Sequence, residues 1–292
     1  MRINKRLVGI IILALFAMSI VGCAAKQQPA EVKSEVKELI LATTTSTKDT
    51  GLLDVLIPVF EQKTGYKVKT VAVGSGAALA MGDKGEADVL LVHSPAEEKT
   101  RVQNGVGINY QLVMHNDFIL VGPPGDPAKV KGLKTSAEAL KKIVETKSMF
   151  ISRGDNSGTH TKELSLWKAA GIEVPKGTKE YQEAGQGMGQ TLLIANEKQG
   201  YTLTDRATYL AQKKNIGLEI MVEGEKNLLN IYHVMQVNPE KFPKVNAAGA
   251  KAFVEFMIAP DTQKTISEFG KDKFGQSLFY PDAGKKEEDL GK

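Results

Sequence analysis

Past position 23 the chain has no cysteine, which leaves neither a disulfide nor a thiolate metal cluster to hold it together. Its four histidines, His93, His115, His160 and His233, are scattered, with no pair at the four-residue spacing of a helical metal motif, so no metal cation ligands are expected. A phosphate-loop lysine motif, a dinucleotide fingerprint, low-complexity blocks and internal repeats are all missing. The single tryptophan, Trp167, shares a helix face with Leu164 and Ala170 and reads as core rather than as a stacking platform. Basic excess is also scarce. The formal charge is +4, but Arg2, Lys5 and Arg6 supply most of it, and from Cys23 onward 35 basic residues face 34 acidic ones. A nucleic-acid partner is not indicated.

Those three cations precede an apolar run, Leu7–Val21, and then Ile20-Val21-Gly22-Cys23. The run is shorter than the roughly 18–20 residues of a membrane span, and it has the layout of an export signal. The junction resembles the lipobox of bacterial lipoproteins, which implies lipidation of Cys23 and an extracytoplasmic protein anchored to the cell membrane. The alternative is an ordinary secretory signal with an incidental cysteine. Residues 1–22 are therefore expected to be a signal peptide, and the polar stretch 23–37 a tether.

Strands and helices then alternate. Leu39–Ala42 is a short apolar strand, Leu52, Leu53, Leu56, Val59 and Phe60 recur at helical spacing up to Gly65, and Lys67–Val73 alternates with period two. Asp88–Val92 is an apolar strand and Pro95–Gln103 is helical. Tyr110–Met114 and Phe118–Val121 form an extended stretch interrupted by His115-Asn116-Asp117. A second set follows: helix Ser136–Thr146, strand Met149–Ser152, helices Thr161–Ala170 and Gln190–Asn196, strand Tyr201–Leu203 and helix Asp205–Gln212. Strands Leu218–Val222 and Ile231–Val237 precede a helix marked by Val245, Ala248, Ala252 and Phe256. This rhythm predicts an α/β clamshell of two lobes, each a mostly parallel sheet flanked by helices. The chain crosses twice, near 112–120 and 228–238. Lobe I takes 38–114 and 232–292, and lobe II takes 115–231.

In open α/β sheets ligands bind where strands end and the next helix begins. Three such turns carry the same kind of sequence: Thr43-Thr44-Thr45-Ser46-Thr47, Gly74-Ser75-Gly76, and Ser152-Arg153-Gly154-Asp155-Asn156-Ser157-Gly158-Thr159. Each alone is an ordinary helix cap. Together they offer hydroxyls, free helix-start N–H groups and close backbone approach, the ingredients of an anion site. Arg153 adds one full charge and a planar fork suited to an oxyanion, unless Asp155 claims it in a surface ion pair. A fully ionised tetrahedral dianion only accepts hydrogen bonds, whereas monohydrogen phosphate also needs an acceptor. Asp155 and Asp88 are the carboxylates that would change this preference, and both are expected to point away.

These turns, with Ala87-Asp88-Val89-Leu90-Leu91-Val92-His93, Asn116-Asp117-Phe118 and Tyr201-Thr202-Leu203-Thr204-Asp205-Arg206, resemble in order the tungstate-binding proteins of tungstate ABC transporters. The resemblance spans essentially the chain after the signal. It implies the type II periplasmic-binding-protein fold, an ABC permease partner, no cofactor and no catalysis. It places anion contacts at Thr45, Ser46, Ser75, Arg153, Ser157 and Thr159, with Thr44 beside them. Two positions depart from the usual pattern: Asn156, where a second acid is common, and Ser75, where threonine is. Molybdate matches tungstate nearly in charge, shape and size, and physics alone does not separate them; phosphate and sulfate stand further off. From another class, a secreted hydrolase would use Ser157 with His160 as base, although Asn156 breaks the spacing of the serine-protease segment.

Overall fold

The computed structural model describes residues 37–290. Cys23, the export signal and the tether up to residue 36 lie outside them. Lys37, assigned to the tether by composition, already opens the first strand.

In chain order the elements are β1 (Lys37–Thr44), α1 (Thr45–Asp49), α2 (Leu52–Thr64), β2 (Tyr66–Val73), α3 (Ser75–Lys84), β3 (Val89–Val92), α4 (Pro95–Gln103) and β4 (Gly107–Gly122). Then come α5 (Ser136–Glu145), β5 (Phe150–Ser152), α6 (Gly158–Ala169), β6 (Tyr181–Glu183), α7 (Met188–Glu197), β7 (Thr202–Asp205), α8 (Arg206–Gln212) and β8 (Glu219–Val222). The chain closes with β9 (Leu229–Val237), α9 (Ala247–Ile258), α10 (Pro260–Glu268), α11 (Lys271–Phe274) and β10 (Tyr280–Pro281).

β1 pairs in parallel with β2 and β3, and β5 pairs in parallel with β6. The antiparallel ladders all involve β4 or β9. The result is a mixed α/β fold of the type the residue rhythm predicts. β3 is buried along its whole length and reads as an apolar run, whereas β2 is only half-buried and keeps a period-two alternation. Leu39 and Leu41 of β1 enter one core with Phe60 and Phe253, while Ala42 enters a second with Leu79, Leu90 and Met235. At the far end of β4, Phe118 and Leu120 join Phe150 and Trp167, whereas Ile119 and Val121 face Ile151, Met188 and Leu192. Ala207 of α8 reaches back into the first of these cores.

The expected break at His115-Asn116-Asp117 does not occur: β4 runs unbroken for 16 residues. The polar side chains find lateral partners while the backbone keeps pairing, Asn116 opposite Asn230 and Asp117 opposite Leu229. Asn230 Nδ2 donates to Asn116 Oδ1 (2.8 Å), and Arg206 grips both Asp117 oxygens at 2.7 Å. Helices α6 and α7 begin three and two residues earlier than periodicity suggests, because Ser157 and Gly187 serve as their caps. The strands β6 and β10 and the four-residue helix α11 are too short to carry a readable period. Among the described residues no helix is long and apolar enough to cross a membrane.

Trp167 is fully buried, edge-on to Phe150 at 5.2 Å, and its indole N–H donates to Glu163 Oε1 at 3.1 Å. Replacing it removes both packing and one donor to a buried carboxylate. Trp167→Ala is expected to lower unfolding free energy by about 3–5 kcal/mol, measured by urea titration followed by far-UV circular dichroism.

Candidate anion-binding site

The first hydroxyl turn follows β1 directly. Thr44 caps α1: its Oγ1 accepts from Thr47 N (3.2 Å) and bonds Thr47 Oγ1 (2.6 Å) and Ser46 Oγ (3.1 Å). Capping thus consumes Thr44, and Thr45 and Ser46 are left at the turn's tip. Because β1 and β2 are parallel and Thr44 lies opposite Val73, the Gly74-Ser75 turn emerges beside it. Gly74 caps α3 without a side chain, and Ser75 Oγ is buried with no protein partner among the described residues.

The third turn follows β5. Gly154 (φ +62°) and Asn156 (φ +57°) take left-handed backbone there, conformations that glycine and asparagine tolerate best. A Cβ on Gly154 would lie 2.6 Å from that of Glu183. Ser157 caps α6, its Oγ accepting from His160 N at 3.2 Å, which leaves its own proton free to donate. Thr159 Oγ1 is buried and has no partner among the described residues.

The turns touch. A Cβ on Gly74 would lie 3.3 Å from Ser157, and one on Gly76 would lie 2.8 Å from Asn156 O. Arg153, 1% exposed, joins them: Nη2 donates to Thr45 Oγ1 (2.7 Å), and Nε to Asp155 Oδ2 (3.0 Å) and Gln186 O (3.3 Å). Its Nη1 is buried without a partner among the described residues. The structure therefore gathers Thr45, Ser46, Ser75, Arg153, Ser157 and Thr159 around one junction, with Thr44 behind it.

One expectation needs correction. Asp155 does not point away; one oxygen binds Arg153 Nε and the other accepts from Ser157 N at 3.1 Å. Arg153 is too deeply buried to lack a counter-charge, so the nearest carboxylate turns in to supply it. The pairing is a part-buried bridge with its arginine fully covered, not the surface pair considered from sequence. Asp88 does turn away, accepting from Ile40 N (2.6 Å) and Asn246 N (2.7 Å) at the opposite end of β3. The hydrolase geometry is also disfavoured. Ser157 meets the backbone of His160 rather than its ring, and the ring Nδ1 accepts from Asn156 N at 3.0 Å.

Two contributors escaped sequence reasoning. The start of α7 closes against the first turn, with a Cβ on Gly187 only 3.3 Å from Thr45 Oγ1, and Gln186 O receives Arg153. Gly185-Gln186-Gly187-Met188-Gly189, three glycines around a helix start, was the signal. The other is His93, expected from sequence only not to bind a metal, whose Nε2 lies 3.3 Å from Ser46 Oγ. Burial, reinforced by Arg153, drives the His93 pKa down to about 3, so the ring is neutral at physiological pH.

Comparison with known proteins agrees with this architecture. A family model described as the PBP superfamily domain matches residues 24–261. The tungstate-binding protein TupA of Peptoclostridium acidaminophilum is 53% identical over 287 residues, covering 96% of this chain and 100% of that protein. Among solved structures, the tungstate ABC transporter protein of Geobacter sulfurreducens aligns with a TM-score of 0.72 at 49% identity, covering 80% of this chain and 98% of that one. The tungstate-binding protein TupA of Desulfovibrio alaskensis G20 aligns with a TM-score of 0.69 at 48% identity, covering 85% and 100%. The chain belongs to the PBP superfamily and, within it, to the family of the tungstate-binding protein TupA.

Proposed function

We propose that this chain is the exported, lipid-anchored solute-binding component of an ABC importer, that it captures tungstate between its two lobes, and that it catalyses no reaction. The observation that carries the reading is a set of three buried donors with no protein acceptor among the described residues: Ser75 Oγ, Arg153 Nη1 and Thr159 Oγ1. A donor left unanswered in a protein interior costs about 1–3 kcal/mol. Three at one junction call for a ligand that accepts from all of them. The spare protons of Thr45, Ser46 and Ser157 bring the set to six. Hydrogen bonds to a charged group contribute about 1.5–3 kcal/mol each, so six give on the order of 9–18 kcal/mol before desolvation and closure, against the roughly 12 kcal/mol of nanomolar binding.

Charge supports the same class of ligand. Asp155 offsets Arg153 and spends both its oxygens on protein donors, so an oxyanion carrying its own proton meets no free carboxylate. Similarity to the tungstate-binding relatives favours tungstate over molybdate. Lobe I (38–114 and 232–292) contributes Thr45, Ser46 and Ser75; lobe II (115–231) contributes Arg153, Ser157 and Thr159. Closure on the anion would reshape the outer faces of the lobes, which an ABC permease can read. Cys23 would hold the protein at the membrane.

Thermal melting tests the reading. Tungstate at about 1,000 times its dissociation constant should raise apparent stability by about 4 kcal/mol, with no such shift for phosphate; an ester-hydrolysing activity lost in Ser157→Ala would overturn the reading. Competition calorimetry against molybdate ranks the two anions. Arg153→Ala is expected to weaken tungstate binding by about 2–5 kcal/mol, and unchanged affinity would show that Arg153 is not a ligand. Cys23→Ala should move the protein from the membrane fraction to the soluble fraction without altering affinity.

His93 adds a pH dependence with a definite sign. Its folded pKa of about 3 lies below its ordinary 6.5, so between these values the unfolded chain binds a proton that the folded chain refuses. The stabilising contribution of the neutral ring is present above about pH 6.5 and is lost progressively on acidification towards 3. Against His93→Gln, the parent protein should lose up to about 1.4 kcal/mol more per pH unit in that window, measured by urea unfolding from pH 7 to pH 4.

A further inference from the structure

The arginine-bearing loop of the junction leaves β5 at Ser152 and enters α6 at Gly158. One buried carboxylate stands behind both of its ends. Glu163, in the second turn of α6, is 2% exposed, and its two oxygens serve different parts of the structure. Oε2 accepts from Ser152 Oγ at 2.7 Å, and the Arg153 backbone N–H is also turned towards the carboxylate. Oε1 accepts from Trp167 Nε1 (3.1 Å) and Tyr181 OH (2.9 Å). Tyr181 OH neighbours Ser152 as well, so the tyrosine belongs to both sides, whereas Trp167 belongs to the packed body alone.

The loop has need of a brace. Gly154 and Asn156 turn it back through two left-handed residues, and it carries Arg153 at one end and the Ser157 cap at the other. Towards β6 the strand end is already fixed, because Ala184 N donates to Ser152 O and Gly185 N to Arg153 O, both at 2.9 Å. Those bonds set its height against β6 but do not tie it to α6, the helix that bears Thr159. The Ser152–Glu163 bond makes that tie across 11 residues of sequence. A hydroxyl that opens a turn rich in anion donors is thereby spent on the protein. Burial raises the Glu163 pKa and the surrounding donors oppose the rise; the tie survives either outcome, since an acid protonated on Oε1 still accepts from Ser152 through Oε2.

We infer that Glu163 is a positioning residue: through Ser152 it holds Arg153 level with Ser157 and Thr159, so that donors from a strand end and from a helix start converge on one oxyanion. This inference rests on the oxyanion reading of the junction and extends it to a residue behind the anion's contacts.

Two deletions at the same carboxylate separate this role from ordinary packing. Ser152→Ala removes the donor on the loop side, while Trp167→Phe removes a donor on the body side together with packing volume. Trp167→Phe should lower the melting temperature more, by roughly 5 °C against roughly 2 °C, yet keep tungstate affinity within about threefold of the parent. Ser152→Ala should be the more stable of the two and still bind tungstate about tenfold more weakly. Affinity losses that follow the stability losses overturn the proposal. Glu163→Met, which removes both sides, should lose at least as much affinity as Ser152→Ala, and binding as tight as the parent's overturns the proposal; if that variant does not fold, the first pair decides. A further readout needs no anion. Exchange of the Arg153 Nε–H with water, followed by proton–nitrogen NMR, should be about tenfold faster in Ser152→Ala than in the parent and unchanged in Trp167→Phe. Equal rates in Ser152→Ala and the parent overturn the proposal. Parent protein that ignores tungstate, with exchange still faster in Ser152→Ala, would overturn the oxyanion reading and leave the brace standing.

Discussion

The burial of the Arg153 guanidinium is the constraint around which this architecture is organised. A guanidinium does not shed its proton in a protein, so it cannot escape desolvation by becoming neutral as a buried histidine or lysine can. Each N–H needs an acceptor instead. Asp155, Gln186 O and Thr45 answer Nε and Nη2, and the acceptors come from three separate turns. Removing the group from water thus obliges those turns to meet, and the nitrogen left over faces the place where they meet.

Sheet topology makes the meeting possible. β1 and β2 run parallel in direct register, so their carboxyl ends present Thr45, Ser46 and Ser75 side by side. β5 delivers Arg153, Ser157 and Thr159 through a loop whose two left-handed residues fold it back tightly. Glycines then let the surfaces approach: Gly74 and Gly76 against 155–157, Gly158 against His93, and Gly187 against Thr45. A Cβ at Gly76 or Gly158, 2.8 Å from its neighbour, would force those surfaces to shift. The long strand β4 belongs to both groups of cores, which makes it the mechanical link between the two sides of the site.

Much of this was legible in the order of residues. Alternation of apolar strands with amphipathic helices depends on chain neighbours, and the α/β class followed from it. The three hydroxyl turns could be recognised because strand-to-helix junctions are places where backbone donors go unpaired. Boundaries were less legible. Ser157 and Gly187 start their helices earlier than apolar periodicity does, since a cap is defined by its hydrogen bonds and not by its hydrophobicity. The continuity of β4 through His115-Asn116-Asp117 was hidden because the partners that satisfy those polar groups, Asn230 and Arg206, lie about 90 residues or more away in sequence.

What the sequence determined by itself is the inventory: which turns carry donors, which single arginine stands among them, and which family pattern they match. Tertiary structure decided how that inventory is spent. Thr44 is used up as a cap while Ser75 and Thr159 are left without partners among the described residues; Asp155 turns in to Arg153 rather than away; His93 sits, neutral, beside Ser46. These outcomes turn on distances of about 3 Å between residues far apart along the chain, and a hydrogen bond is made or lost within a few tenths of an ångström. Local sequence specifies which groups are present, and only the folded geometry specifies which of them are already satisfied.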